Sequence, residues 1–269
     1  MSDTIIHPTA VVEDSAVIGS GTVVGPNCYV GSNVKIGNNN ELQANAVIGD
    51  GTVLGNGNRL FSNCVIGRGP QIFVMDPNAK YGKLEIGDNN TFRENSTVHP
   101  SMHEGGLTKI GSGNFIMIGV HIGHDCIIEN QIVMSNFSQI SGHSKVETGA
   151  WLSGMVVTHQ FVTIGKWSYC TGLTGVNKDL PPYLIGNGHY PFRVRSVNER
   201  GMNRSGLNEE EKKAVWDAFK YLYRQKSGSV LSRAKELAEK DNQICVKEIV
   251  EAVINSSKHK NGRYLETFR

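Results

Sequence analysis

No stretch of the 269-residue sequence approaches the roughly 18 apolar residues that a membrane-spanning helix needs, so a membrane span is not expected. The start, Met1-Ser2-Asp3-Thr4, lacks the basic-then-apolar pattern of a secretion signal, which predicts a cytoplasmic protein. Cysteine is sparse and unpatterned: Cys28, Cys64, Cys126, Cys170 and Cys245 are odd in number, far apart, and never form C-x-x-C. That excludes a disulfide framework and a thiolate zinc site, and leaves five small buried residues. An excess of one charge is also missing, with 27 Lys+Arg against 25 Asp+Glu. No nucleic-acid partner is expected. With 39 % hydrophobic and 19 % charged residues the chain has material for a sizeable core and no signature of disorder.

Glycine is what the sequence has in quantity. Of 31 glycines, 27 precede position 189 and only 4 follow it, so a glycine-rich body gives way to a tail of another character. Charge divides in the same place: residues 1–180 carry 10 Lys+Arg against 14 Asp+Glu, and residues 181–269 carry 17 against 11. The basic tail is either ordinary solvated helical surface or a docking face for an acidic partner.

The body repeats with a period of six. Aliphatic residues fall at Val12, Ile18, Val24, Val30 and so on to Ile66, return at Ile86, Phe92 and Val98, and run from Ile110 to Val176. The position four after each is usually small, as at Ala16, Thr22, Cys28, Asn40 and Cys64, since an aliphatic and a second large side chain cannot share one tight interior. Three hexads make one triangular coil, and 25 hexads give roughly eight coils of a parallel β-helix. An α-helical reading fails, because a period of six does not match 3.6 and the Gly and Asn density opposes it. Loops interrupt the repeat at 68–85 and 99–109. The division that follows is a β-helix domain over 1–179, a connecting segment over 180–207 and an α-helical domain over 208–269. In the last, Asn208 and Glu211 resemble a capping box, and three apolar stripes begin at Val215, Val230 and Val246.

Coil geometry lets distant histidines be tested for adjacency. His124 and His143, and His124 and His159, are each separated by one residue more or less than whole coils, so the three could line one edge, with His121 and His99 nearby. Three imidazoles on an edge suit acid-base chemistry. They also suit a zinc ion with an open position, as in solenoid carbonic anhydrases, although no ligand spacing singles that out and the basic tail would then go unused. An ice-binding solenoid would need a flat face of repeated Thr, and the outward positions are too irregular for it.

Taken together, His7-Pro8-Thr9-Ala10, the hexads, Gly105-Gly106-Leu107-Thr108-Lys109-Ile110-Gly111, His121-Ile122-Gly123-His124-Asp125-Cys126, Gly142-His143, His159-Gln160-Phe161, residues 179–183 and residues 198–206 ahead of the helices resemble a known family. It is that of the bacterial acyl carrier protein to UDP-N-acetylglucosamine O-acyltransferases, which open lipid A synthesis, and the likeness covers essentially the whole chain. The resemblance implies a left-handed parallel β-helix with a C-terminal helical cap, a homotrimer, and active sites between subunits. It implies transfer of a 3-hydroxyacyl chain from acyl carrier protein to the 3-position of UDP-N-acetylglucosamine. His124 would be the general base with Asp125 beside it, and the Gly142 N–H the oxyanion donor. Gln71, His121, His143, His159, Gly172, His189, Asn198 and Arg204 would line the sugar, acyl and nucleotide sites, Gly172 falling where the family sets acyl length. Neither metal nor cofactor is implied, since the chain arrives on the carrier's phosphopantetheine.

The chemistry fits these residue types independently. A sugar hydroxyl is a poor nucleophile at neutral pH, an imidazole can take its proton as it attacks a thioester, and a glycine N–H allows close approach to the resulting oxyanion. The sequence also departs from the family. Pro70-Gln71 is followed by Ile72 where the family has Asp, Arg200 stands for the usual Glu, and Ser205 for the second Arg. These changes touch the sugar-nucleotide contacts, so a paralogue that N-acylates a 3-amino nucleotide sugar is the main alternative. In the tail, Arg193, Arg195, Arg200 and Arg204 form a short basic run suited to an acidic carrier and a diphosphate, with Arg204 matching the family's diphosphate position.

Overall fold

The computed structural model of the protein describes residues 3–73 and 79–264. Residues 74–78, within the loop predicted at 68–85, and residues 265–269, at the end of the predicted helical domain, lie outside the described residues.

The six-residue period resolves into two-residue strands. In most, the first residue is the more exposed and the second faces in, as at Val23–Val24, Lys35–Ile36 and Arg59–Leu60. Burying each inward aliphatic contributes about 1.5–3 kcal/mol. Successive coils pair in parallel, Val23 with Glu41 and Glu41 with Arg59, building three sheets of 11, 9 and 8 strands around a triangular prism. The last strand of the 11-stranded sheet is antiparallel, which leaves ten parallel rungs and a solenoid of about ten turns rather than roughly eight. Ile5–Ile6 at one end and Leu184–Asn187 at the other are the rungs the hexad count omits.

The small interior position has a second reason besides space. Buried Asn40, Asn58, Asn90 and Asn114 form a ladder in which the Oδ1 of each accepts a backbone N–H of the next coil, from Asn58 at 2.8 Å, Asn90 at 2.9 Å, Asn114 at 2.9 Å and Ile132 at 2.8 Å. An aliphatic residue there would leave those N–H groups unsatisfied.

Both predicted interruptions leave the coil, but both end earlier than expected. Lys83–Ile86 and Leu107–Ile110 are four-residue strands that pair with each other along their full length. The loops therefore end by Gly82 and Gly106. They lengthen the coil spacing to 32 residues between Asn58 and Asn90 and to 24 between Thr97 and His121.

Residues 180–207 are more ordered than a connector. Leu184–Asn187 continues the solenoid, Arg193–Val197 turns back against it, and a helix not predicted from the sequence, α1 (Glu199–Ser205), follows. Then come α2 (Glu209–Tyr223), α3 (Val230–Lys240) and α4 (Ile244–Lys258). The Asn208–Glu211 capping box is present at the start of α2. Helix α4 docks on the last coils through Ser256 Oγ–H to Asp179 at 2.5 Å, Tyr183 Oη–H to Glu248 at 2.7 Å, and the Lys166–Glu248 ion pair.

Candidate active site

His124 directly follows the strand His121–Ile122 and is 7 % exposed. Its Nδ1 lies 2.8 Å from Asp125 Oδ2. The Asp125 carboxylate is fixed from the 99–106 loop by Ser101 Oγ–H and by the Met102 N–H at 3.2 Å, while its own N–H donates to Thr108 Oγ1 at 2.7 Å. Burial alone would raise the Asp125 carboxyl, but the hydrogen bonds from Ser101, His124 and Met102 outweigh it and hold the group below its ordinary value. An ionised Asp125 accepts a hydrogen bond from Nδ1–H, so Nε2 is left as the acceptor.

Gly142 lies one coil beyond His124. A Cβ on it would stand 2.7 Å from His124 Nε2, so only glycine allows this approach. The residue is buried, and among the described residues no acceptor pairs with its N–H. A base and a free backbone donor thus lie side by side. His143 completes the group: its ring meets His124 edge-on at 5.1 Å and lies flat on Phe161 at 4.6 Å. Burial lowers its pKa. His121, bonded through Nδ1 to Thr97 Oγ1 at 2.9 Å, is pushed down to about 4 by burial and by His99 and His124. Gln71, His121, His124 and Gly142 share one cleft with His99, Ser141 and Gln160.

The other residues singled out in the sequence sit elsewhere on this chain. His159 does not join the cluster: among the described residues its ring pairs with Arg263 Nη2 at 2.8 Å, from the chain's far end. Gly172 is exposed at a coil corner, where a Cβ would meet only ordinary contacts at 3.5 Å or more. His189 lies against Gly175, near the end of the solenoid. Asn198 and Arg204 line a separate cavity on the 11-stranded sheet with Trp151, Tyr169 and Arg200. There the Asn198 side chain donates to the Trp167 carbonyl at 2.7 Å, and the Arg204 guanidinium stands 5.6 and 5.2 Å from the Trp151 and Trp167 rings. Ser205, in place of the family's second Arg, turns its hydroxyl onto Met202 O at 2.8 Å.

Sequence reasoning did not find Ser101, Thr108, Phe161 or Gln160. Phe161 and Gln160 were within reach, each lying one regular coil beyond His143 and Gly142. Ser101 and Thr108 were not, because the lengthened coil hides their register. The three histidines proposed as zinc ligands do not assemble. His103, Asp125 and His143 do, with ligand atoms within 4.8 Å of one another.

The family described as UDP N-acetylglucosamine O-acyltransferase, domain 2, matches residues 179–262. The UDP-N-acetylglucosamine acyltransferase of Francisella novicida is 34 % identical with a TM-score of 0.86, over 96 % of this chain and 93 % of that one. The Bacteroides fragilis enzyme is 32 % identical with a TM-score of 0.86, over 94 % and 98 % of the two chains. For that of Campylobacter jejuni the figures are 30 %, 0.89, 98 % and 100 %. With a solenoid of the same class, the same helical end and these matches along nearly its whole length, the chain is an acyltransferase and belongs to the UDP-N-acetylglucosamine acyltransferase family.

Proposed function

We propose that the protein transfers a 3-hydroxyacyl chain from acyl carrier protein to the 3-hydroxyl of UDP-N-acetylglucosamine, the opening step of lipid A synthesis, in the cytoplasm. The observation that carries this reading is the buried His124, held by Asp125 on one nitrogen and facing Gly142 with the other. His124 Nε2 takes the hydroxyl proton as the sugar oxygen attacks the thioester carbonyl carbon. The Gly142 N–H receives the oxyanion of the tetrahedral intermediate. Collapse breaks the C–S bond, and the imidazolium returns its proton to the departing phosphopantetheine thiolate. Asp125 keeps the ring oriented and stabilises its charged form. No resident cofactor or metal takes part in these steps.

A homotrimer is part of this reading, and the placement of the two cavities supports an assembly of neighbouring chains. His124 lies beyond the sheet that contains His121–Ile122, whereas Arg204 and its tryptophans lie on the sheet that contains Trp151–Leu152. Packing one chain's first sheet edge against a neighbour's second unites a base and a nucleotide cradle that one chain keeps apart. Exposed Arg193, Arg195 and Arg200 near this cradle offer the acidic carrier a docking face. A 3-amino sugar acceptor is the second reading, favoured by Arg200 in the cavity wall. The test is purified protein with acyl carrier thioesters of several lengths against UDP-N-acetylglucosamine and its 3-amino analogue, products read by mass spectrometry. Ester formation on the first supports the proposal, amide formation on the second alone supports the alternative, and transfer to neither contradicts both.

A further inference from the structure

The loop that lengthens the coil ahead of His121 carries a histidine that the acyl-transfer reading does not use. His103 is exposed on this loop, and its ring centroid lies 6.1 Å from that of His143. His143 Nε2 in turn stands 3.9 Å from Asp125 Oδ2. One nitrogen from each histidine and one Asp125 oxygen all fall within 4.8 Å of one another. A tetrahedral zinc site with bonds of about 2.0–2.1 Å needs its ligand atoms about 3.3 Å apart. His143 Nε2 and Asp125 Oδ2 are within about 0.6 Å of that spacing, and His103, exposed on its loop, has room to turn toward them.

Three further features suit a cation. Among the described residues neither the His103 nor the His143 side chain makes a hydrogen bond, so both imidazoles have a lone pair to give. The ligands are also held from behind. Ser101 and the Met102 N–H tie the loop to the Asp125 carboxylate, and Phe161 stacks on His143 with an interplanar angle of 5°. Outer contacts of this kind orient metal ligands. Finally, both Asp125 and His143 occupy left-handed backbone, at φ 59° and 60°, a cost that places their side chains side by side on consecutive coils. His124 already gives Asp125 its partner, so orienting the base does not require two more imidazoles around the same carboxylate.

We propose that His103, Asp125 and His143 form a binding site for a zinc-class divalent cation, and that its occupancy suppresses acyl transfer. Two imidazoles and a carboxylate are a borderline-soft donor set, and three protein ligands leave a fourth position to water. The suppression rests on the role proposed for His124. The Asp125 Oδ2 that accepts the His124 Nδ1–H at 2.8 Å also stands 3.9 Å from His143 Nε2, so a cation bound there competes for the oxygen that orients the His124 ring.

Binding and activity are measured separately on the full-length protein. Titration with cobalt(II) is expected to give one site per chain with the visible absorption of a tetrahedral complex, competed away by zinc. His103→Ala should weaken that binding at least about 10-fold and leave transfer activity in metal-free buffer unchanged. Zinc at saturating concentration should inhibit the wild type, a chelator should restore it, and His103→Ala should be insensitive. His124→Ala should still bind cobalt. Absence of a saturable cobalt signal, or equal binding by His103→Ala, overturns the site. Binding through His103 without inhibition overturns the suppression. A chain that binds cobalt through His103 yet transfers no acyl group overturns the function reading instead and leaves the site standing.

Discussion

The coils before the second loop and those after it solve the same corner in different ways. Most corners hold one residue in left-handed backbone. In the first group that residue is Asn27, Asn33, Asn39, Asn45, Asn63, Asn89 or Asn95, or a glycine. In the second, besides Gly113, Gly119 and Gly149, it is Asp125, Gln131, Phe137, His143, Met155, Phe161, Trp167 or Leu173, the last eight at φ between 55° and 64°. Residues other than Gly, Asn and Asp lose about 1–2 kcal/mol in that conformation. The first group takes the residue the backbone prefers, beside a buried Asn ladder that continues into the second only as far as Asn114 and Ile132. The second places large or titratable side chains at the same corners, and three of those, Asp125, His143 and Phe161, surround the base. Local consistency is given up where the chemistry sits, as is usual of functional sites.

If that division is real, substitutions in the two groups should separate activity from stability. Gly142→Ala has the largest expected effect. Its Cβ would lie 2.7 Å from His124 Nε2, and displacing the ring by such an amount should lower kcat/KM at least about 10²-fold, with little change in the urea midpoint. Asn58→Ala should do the opposite. It leaves the buried Asn90 N–H unpaired and should cost roughly 1–3 kcal/mol in denaturant unfolding, with kcat per folded molecule unchanged. An activity loss there equal to the stability loss would blur the distinction.

Smaller effects sharpen it. Gln131 is exposed at a left-handed corner away from the base, so Gln131→Asn should raise stability by up to about 1 kcal/mol and leave turnover alone. A destabilised variant would show that these corners carry no strain. The last effect concerns pH. His121 is held down to about 4 in the folded chain against an ordinary 6.5, so between those values the unfolded chain binds the additional proton. Stability is therefore full above pH 6.5 and falls as the pH drops toward about 4. His121→Gln should flatten that fall in urea midpoints measured across the range.

Much of this was legible from the sequence, where the coil is regular. Val12 to Ile66 gave the faces, Asn208 and Glu211 the start of α2, and the spacing of His124 and His143 their adjacency, while Gly142 came from the family resemblance. Legibility failed where the coil changes length. Ser101 reaches Asp125 only because the second loop stretches its coil to a spacing of 24 residues, a number the hexads do not contain. It failed again where partners come from the far end of the chain, as with Arg263 on His159. The interior asparagines read as merely small because a period reports size and not hydrogen bonding. The left-handed corners were invisible because Phe137, His143 and Trp167 give no turn signal of the kind Asn and Gly give.

The central claim is that His124 removes the acceptor's proton, and the kcat/KM of His124→Ala for acyl transfer tests it most directly. The account predicts a fall of about 10²–10⁴-fold, with thermal unfolding and oligomeric state as in the wild type. A variant within a few-fold of wild-type turnover would contradict it.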